Sequence, residues 1–227
     1  MLVVGIHAIE SFIDNRCSEI KELLVDNKKK LNPRIHNLVN KSTRNGVSVR
    51  YIDSKALGAS VALEVDVAWG AVNWWDWISA KAPAKIVLLD GVQDPHNLGA
   101  CMRTACAFGV ESLIIPARRA APVNATALKV AAGAGAWLPV FSVNNMQTCL
   151  KTLKDMGYWL VACSEHADIV FKPVQHDKVV LIVGNEEKGV RSSVLSQADY
   201  LLRLPTVGPI KSLNVSVALG VALSHLV

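Results

Sequence analysis

The sequence lacks the patterns that bind metals or form disulfide frameworks. Its 227 residues include five cysteines, an odd number, and no two of them form a CxxC pair. The six histidines show no i, i+4 spacing of the kind that a helical metal site needs. Three of the cysteines stand in apolar stretches, where a free thiol behaves as a small hydrophobic group. We therefore expect neither a disulfide framework nor a bound metal.

Long apolar runs and a secretion signal are also missing. The longest apolar run, Val130 to Phe141, is too short for a bilayer and contains Gly133, Gly135 and Pro139. The first residues, MLVVGIHAIESF, show no basic leader and no cleavage site. Because 51% of the residues are hydrophobic, a substantial core is expected and wholesale disorder is not. These features predict a soluble cytoplasmic protein with no membrane partner.

Positive charge is concentrated at the N-terminal end. Residues 1–60 hold ten Lys and Arg against six Asp and Glu, whereas residues 61–227 hold fourteen against thirteen. A basic segment joined to a near-neutral body suggests that a polyanion binds at one end of the protein. The alternative, a solvated surface with a chance excess of basic residues, stays open on charge alone.

The apolar pattern divides the chain into two α/β parts. In residues 1–68, GIHAIESFIDN and LNPRIHNLVNKSTRNG predict helices, and EIKELLVD and VSVRYID predict strands. From residue 85 onward, six short apolar runs predict strands: KIVLLD, ESLIIP, LPVFSV, YWLVAC, KVVLIV and YLLRLP. Strands that are apolar on both faces belong to a parallel sheet covered by helices. Residues 69–84 are interpreted as the linker.

The predicted linker is rich in tryptophan. Four of the six tryptophans fall between Trp69 and Trp77, and Pro83 ends the segment. Such a cluster packs at a domain or subunit contact, or it stacks on unpaired bases beside the basic module. Packing is the commoner role, and both interpretations stay open.

The first strand of the predicted parallel sheet leads into DPHNLGACMRTACAFG, residues 94–109. This segment has neither the glycines of a dinucleotide fingerprint nor the Gly-Lys-Ser/Thr of a phosphate loop. Asn97 is predicted to cap the helix that follows. Arg103 falls outside the apolar stripe, about 9 Å along the axis from Asn97. It either binds an anion near the helix N-terminus or extends into solvent. The stripe itself is predicted to consist of Leu98, Cys101, Met102, Ala105 and Phe108 or Gly109.

Two later strand ends also carry unusual residues. GNEEKGV follows KVVLIV, and its Gly184 and Gly189 permit close backbone approach or a positive φ. By itself this segment is typical of a turn. The loop after YLLRLP leads into an apolar helix whose first turn contains Ser212, Asn214 and Ser216, with Ser212 as the predicted cap. Buried polar groups need partners, so this cluster indicates a ligand or a crossing backbone segment.

Together, in this order, the three segments resemble the SpoU/TrmH class of RNA ribose 2′-O-methyltransferases. The opening GIHAIESF is similar to the start of the small RNA-binding domain in bacterial members that methylate a guanosine of large-subunit ribosomal RNA. NATALKVAAGA, residues 124–134, fits the same members. The match is densest at Asn97, Arg103, Gly184, Glu186, Gly189, Pro205, Gly208, Ser212, Leu213, Asn214 and Ser216.

The resemblance implies an α/β fold of two domains. Residues 1–68 would form a small L30e-like RNA-binding domain, and residues 85–227 an open parallel sheet with a C-terminal trefoil knot (the SPOUT fold). True knots are almost absent from proteins, so this fold is one of the exceptions. The implied cofactor is S-adenosyl-L-methionine, bound in the knot by a homodimer whose site lies at the subunit contact. The residues expected to border the cofactor are Gly184, Leu204, Thr206 and Leu213.

The implied reaction is methyl transfer to a ribose 2′-hydroxyl of RNA, with a guanosine of 23S ribosomal RNA as the expected target. Arg103 is expected to clamp a neighbouring phosphate and stabilise the developing alkoxide, because an ordinary arginine stays protonated and is a poor base. Asn97 and Asn214 would orient Arg103 or the ribose. Glu186 would hold Arg103 or a substrate group, and Ser212 would complete the pocket.

The sequence departs from the family pattern at two places. Thr206 stands where the family usually has methionine, and VALEVDVAWGAVNWWDW does not resemble the usual end of the small domain. Three alternatives therefore remain: a related methyltransferase of transfer RNA, a non-catalytic ribosome-associated RNA-binding protein, and a dinucleotide-dependent oxidoreductase. The last of these lacks the glycine fingerprint and an acidic ribose partner.

Overall fold

The computed structural model describes residues 1–27, 32–53, 57–67, 69, 73–165, 167, 176–185, 187–210 and 212–226. In these residues the chain forms two sheets, one of four strands and one of six. Of the described helices, none is long and apolar enough to cross a membrane.

The N-terminal sheet is mixed, with strand order β1-β4-β2-β3. β2 and β3 are parallel, whereas β4 lies antiparallel between β1 and β2. Helices α1 (Ile6–Asn15) and α2 (Pro33–Arg44) bury their apolar sides in the core that also contains alternate residues of β2. The predicted helices and strands are confirmed, and Gly46 follows α2 with φ 76°. The strands are β1 (Leu2–Val4), β2 (Ile20–Asp26), β3 (Ser48–Ile52) and β4 (Val61–Val65).

The larger sheet is parallel throughout, with strand order β10-β8-β9-β5-β6-β7. All six predicted strands are present. The central residues of β5, β6, β8 and β9 are buried on both faces, as their continuous apolar runs indicate, whereas Ser142 of β7 and Leu201 of β10 are exposed. The strands are β5 (Lys85–Asp90), β6 (Ser112–Pro116), β7 (Val140–Val143), β8 (Trp159–Cys163), β9 (Val179–Gly184) and β10 (Tyr200–Leu202).

Helices cover both faces of this sheet and give it two separate cores. α4, α5 and α8 bury their apolar residues in the core that extends to the N-terminal part, whereas α3, α6 and α7 do so in the other core. The helices are α3 (Trp74–Lys81), α4 (Pro95–Ala107), α5 (Ala125–Ala131), α6 (Met146–Asp155), α7 (Ser192–Leu195) and α8 (Val215–Ser224).

The order of the strands reverses between β5 and β9. The chain passes from β5 to β6 and β7 on one side and places β9, β8 and β10 on the other. Asp90, the last residue of β5, pairs in register with Gly184, the last residue of β9. Ligands of open parallel sheets bind outside the carboxyl ends of the strands at such a switch point. The loops after β5 and β9 therefore meet where a binding site is expected.

The tryptophan-rich segment packs against both parts of the chain. The guanidinium of Arg16 lies 5.0 Å from the ring centre of Trp69, and its Nε donates to the carbonyl of Ala136 at 3.1 Å. Trp77 contacts Phe141 with ring centres 5.3 Å apart. Only Trp75 of the cluster is counted among the exposed side chains, at 43%. These contacts favour the packing interpretation, and they place the helix α3 within the predicted linker.

Candidate active site

A cleft of about 320 Å³ opens beyond the carboxyl ends of β8, β9 and β10. Its described walls combine apolar side chains and backbone segments with three charged residues, Glu165, Glu187 and Lys188. Ser212 lines the cleft. The four residues predicted to border the cofactor also line it: Gly184, Leu204, Thr206 and Leu213. The loops after β9 and β10, which are far apart in sequence, thus form one cavity.

Two glycines allow the loop after β9 to fold back on itself. A Cβ at Gly184 would lie 2.0 Å from the backbone carbon of Gly189, a distance that no side chain tolerates. Gly189 has φ 64°, and its N–H donates to the carbonyl of Asn185 at 2.9 Å. Both expectations, close approach and positive φ, are confirmed at these residues. The tight fold brings the backbone of residues 184, 185 and 189 to the cleft.

The same loop is tied to the end of β5 at two points. Asn185 donates from Nδ2 to the carbonyl of Gly91 at 3.0 Å. Arg191 donates from its backbone N–H to Oδ2 of Asp90 at 2.9 Å and from Nε to Oδ1 at 2.9 Å. Asp90 is 1% exposed, and the hydrogen bond to it raises the pKa of Arg191 above its ordinary value. We call residues 184–191, of which 186 is not described, the anchored wall.

The segment after β10, from which Leu204, Thr206, Ser212 and Leu213 line the cleft, is built differently. Val207 and Ile210 are 99% and 76% exposed, and a Cβ at Gly208 would meet open space. Residues 207–210 make no hydrogen bond with the described part of the chain. Leu204 and Thr206 are half-buried where this segment begins. We call residues 204–213, of which 211 is not described, the open wall.

An amide pair joins the start of α4 to the start of α8. Asn214 donates from Nδ2 to Oδ1 of Asn97 at 2.9 Å, and its own Oδ1 accepts from the N–H of Ser216 at 2.9 Å. Asn214 is therefore the N-cap of α8, and the prediction that Ser212 caps this helix is wrong.

The prediction that Asn97 caps α4 is also wrong. Asp94 takes this role, accepting from the N–H of His96 at 2.9 Å, and Pro95 occupies the first position of the helix. Proline suits that position because its missing N–H would be unsatisfied there. Asn97 lies within the first turn, which leaves its side chain available to pair with Asn214.

Arg103 projects from the exposed side of α4. The predicted apolar stripe is confirmed at four buried positions, Leu98, Cys101, Met102 and Ala105. Phe108, at the end of the stripe, is half-buried. Arg103 does not line the cleft of its own chain, and it makes no hydrogen bond or ion pair with the described residues. Glu186, which the family resemblance predicts to hold Arg103 or a substrate group, lies outside the described residues. The guanidinium is thus directed to solvent in the isolated chain.

The loop after β8 also lines the cleft, which sequence reasoning missed. Cys163, Ser164 and Glu165 border the cavity. Burial raises the pKa of the Cys163 thiol to about 12. The thiol is therefore protonated at neutral pH and a poor nucleophile. The signal was available, because YWLVAC is followed by two polar residues at the same edge of the sheet. Among the described residues no cluster could hold a metal ion.

Comparison with known proteins identifies the family. The profile of the SpoU rRNA Methylase family matches residues 84–224, well over half of the chain. The chain belongs to the SpoU rRNA methylase family. A second profile, RNA 2′-O ribose methyltransferase substrate binding, matches residues 2–61. The first match covers the six-stranded sheet, and the second covers strands β1, β2 and β3 of the N-terminal sheet and ends at the first residue of β4.

Curated SpoU relatives extend over nearly the whole chain. The 23S rRNA (guanosine-2′-O-)-methyltransferase RlmB of Xanthomonas campestris is 37% identical over 97% of this chain and 93% of its own. The protein of the same name from Escherichia coli is 32% identical over 98% and 96%. Among solved structures, the SpoU methyltransferase AviRb from Streptomyces viridochromogenes in complex with AdoMet has a TM-score of 0.83, with 23% identity, covering 99% of this chain and 88% of that one. The six-stranded sheet and its helices thus have the SpoU fold, and the N-terminal residues add a substrate-binding part to it.

Proposed function

We propose that this protein transfers a methyl group from S-adenosyl-L-methionine to the ribose 2′-hydroxyl of a guanosine in 23S ribosomal RNA, in the cytoplasm. The supporting observation is that the residues of two separate family motifs, after β9 and after β10, form one cleft beyond the carboxyl ends of β8, β9 and β10. Relatives that carry the name of this activity match 97% of the chain at 37% identity. In this proposal residues 1–68 bind RNA, residues 69–84 connect, and residues 85–227 catalyse.

The cleft fits a bent cofactor with one cationic end. When bound, S-adenosyl-L-methionine supplies an electrophilic methyl group on a sulfonium. Two carboxylates, Glu165 and Glu187, and one ammonium, Lys188, line the cleft, so the described lining is net negative and favours a sulfonium group. Leu204 and Leu213 offer apolar surface, and the packed backbone at Gly184 offers main-chain groups. The protonated thiol of Cys163 does not compete as a methyl acceptor at neutral pH.

Arg103, Asn97 and Asn214 are assigned to the acceptor side. Arginine stays protonated, so Arg103 binds phosphate and stabilises negative charge that develops on the 2′-oxygen. Asn214 is fixed by its bonds to Asn97 and Ser216 and so can orient the ribose or Arg103. Ser212 lines the cleft and completes the pocket between the two groups. Glu186 is assigned to hold Arg103 or the substrate.

The proposed site is completed by a second copy of the chain. Arg103 does not line the cleft of its own chain, so the donor and acceptor residues are brought together across a two-subunit contact. Val217 and Leu213, at the start of α8, are 50% and 39% exposed and offer apolar surface to a partner. The proposed catalytic fold also contains the trefoil knot that the resemblance to the family implies.

Methyl transfer from labelled cofactor to purified RNA tests the proposal. The wild-type protein should label 23S rRNA from a strain that lacks the gene and leave transfer RNA from the same strain unlabelled. Arg103→Ala should lower the rate by about 100-fold or more while cofactor affinity, measured by calorimetry, stays the same. Arg103→Lys should also lose methyl transfer, because the lysine ammonium is a point charge and does not replace the paired hydrogen bonds of the planar guanidinium. Labelling of transfer RNA alone would assign the protein to a different substrate.

A further inference from the structure

A short basic loop lies beside the acceptor residues at the same edge of the sheet. It follows β6, which neighbours β5, and spans residues 117–123. The N–H of Ala121 donates to the carbonyl of Val92 at 2.8 Å. The carbonyl oxygen of Arg119 lies 3.7 Å from the position that a Cβ at Gly91 would occupy. The loop is therefore held against the segment that leads directly into α4.

Two arginines at the tip of this loop have no role in the fold. Arg118 and Arg119 are exposed, and neither makes a hydrogen bond or ion pair with the described residues. The loop is held instead by Ala121 and Val123, which are 3% and 8% exposed. Packing of the small apolar residues fixes the loop without using either guanidinium.

Arg119 also occupies an unfavourable backbone conformation. Its φ is 59°, in the left-handed region that glycine adopts readily and other residues seldom do. A residue with a long side chain at such a position costs stability and gains nothing from local contacts here. Strain of this kind is concentrated at functional sites, where the side chain is needed for another purpose.

We propose that Arg118 and Arg119 bind phosphates of the RNA strand that flanks the methylated nucleotide. The inference rests on the proposed function. Neighbouring parallel strands lie about 4.8 Å apart. Asn97 lies in the first turn of α4, which follows β5, so the loop after β6 is close to an RNA strand that presents a ribose to Asn97. Two guanidiniums without an acidic partner suit phosphate, which accepts bidentate hydrogen bonds.

The charges around the loop favour the same occupant. Asp94 is the carboxylate on the adjacent segment, and its Oδ1 is already bonded to the N–H of His96. Arg103 projects from α4, which begins on that segment. Arg103, Arg118 and Arg119 thus all follow β5 or β6, and β5 is the neighbour of β9, one of the strands whose ends form the cleft. A polyanion that enters there meets positive charge before it reaches the acceptor residues.

Three variants test the inference. Arg118→Ala removes one guanidinium, and Arg119→Gly removes the other while replacing it with the residue that its φ favours. Lys81→Ala is the matched control, because Lys81 is exposed and ends α3 just before β5, at the opposite edge of the sheet. Binding of 23S rRNA from a strain that lacks the gene is measured over a range of salt, together with methyl transfer, cofactor affinity and thermal stability.

Each arginine variant should weaken rRNA binding by roughly three- to tenfold. The slope of log K against log salt should also become shallower by about 0.7, which is the contribution of one phosphate contact on a single strand. Cofactor affinity should stay at the wild-type value, Arg119→Gly should not lose thermal stability, and Lys81→Ala should match the wild type. Wild-type rRNA affinity and salt slope in both arginine variants would overturn the inference, and so would an equal loss in Lys81→Ala. If the wild-type protein methylates no RNA, the proposed function fails instead, and the two results are separate.

Discussion

The two walls of the cleft differ in how they are held. The anchored wall is fixed to the end of β5 by Asn185 and Arg191, and a glycine contact closes its turn. The open wall has Val207 and Ile210 in solvent and no hydrogen bonds at residues 207–210 within the described chain. A preformed surface binds without an ordering cost, whereas a loose one adapts to its ligand. We therefore expect the anchored wall to keep its shape when a ligand binds and the open wall to adjust to the ligand.

The largest test of this contrast uses the same substitution in each wall. Gly184→Ala places a Cβ 2.0 Å from the backbone of Gly189, so the free energy of unfolding should fall by about 3 kcal/mol and cofactor binding should be lost. Gly208→Ala meets nothing within 4 Å, and its effect on stability should stay within about 0.5 kcal/mol. Denaturant unfolding and calorimetry measure both. Equal destabilisation by the two changes would contradict the contrast.

A smaller loss of stability is expected when one arginine is removed in the anchored wall or next to the open wall. Arg191→Ala removes the guanidinium partner of the buried Asp90 carboxylate and leaves it only the backbone N–H of residue 191. Because the Arg191 side chain is 52% exposed, solvent screening limits the loss to about 2 kcal/mol, below the range of a fully buried pair. Arg203→Ala, which removes an exposed arginine next to the open wall, should change stability by less than about 0.5 kcal/mol. Chemical denaturation of the two variants side by side checks the difference.

The smallest effect on stability at neutral pH is expected from the Cys163 thiol, which borders the cleft. Since burial raises the pKa of Cys163 to about 12, its alkylation at pH 8 should be at least about 100-fold slower than that of a free cysteine. The folded state retains this proton more tightly than the unfolded state. The corresponding stability is thus present below about pH 9 and lost as the pH rises toward 12. Mass spectrometry after timed alkylation gives the rate, and rapid modification at pH 8 would show that the open wall admits solvent freely.

Strand positions in the larger sheet could be predicted because each strand is apolar on both faces. KIVLLD and KVVLIV have no other stable environment than a covered parallel sheet, and both form central strands. Strand β4, residues Val61–Val65, was missed because VALEV belongs to a stretch that departs from the family pattern. Its place between β1 and β2 depends on pairing with distant strands, which no local pattern contains.

The helix caps show where local signals compete. Asp94 and Asn97 are both good capping residues, and so are Ser212 and Asn214. Pro95 at the first position of α4 was the signal that decided for Asp94. At α8 the deciding fact is tertiary, because Asn214 lies within reach of Asn97 only after the two helices have packed. The sequence alone therefore identifies the possible capping residues, and tertiary contacts decide which of them caps the helix.

Asn214 serves two helices with the two ends of one amide. Its oxygen closes the first turn of α8, and its nitrogen reaches across to Asn97. Alanine at this position would remove both functions at once, so any lost turnover would mix chemistry with architecture. Aspartate keeps an oxygen for the turn and has no hydrogen to offer Asn97, which makes it the substitution that separates a supporting residue from a reacting one.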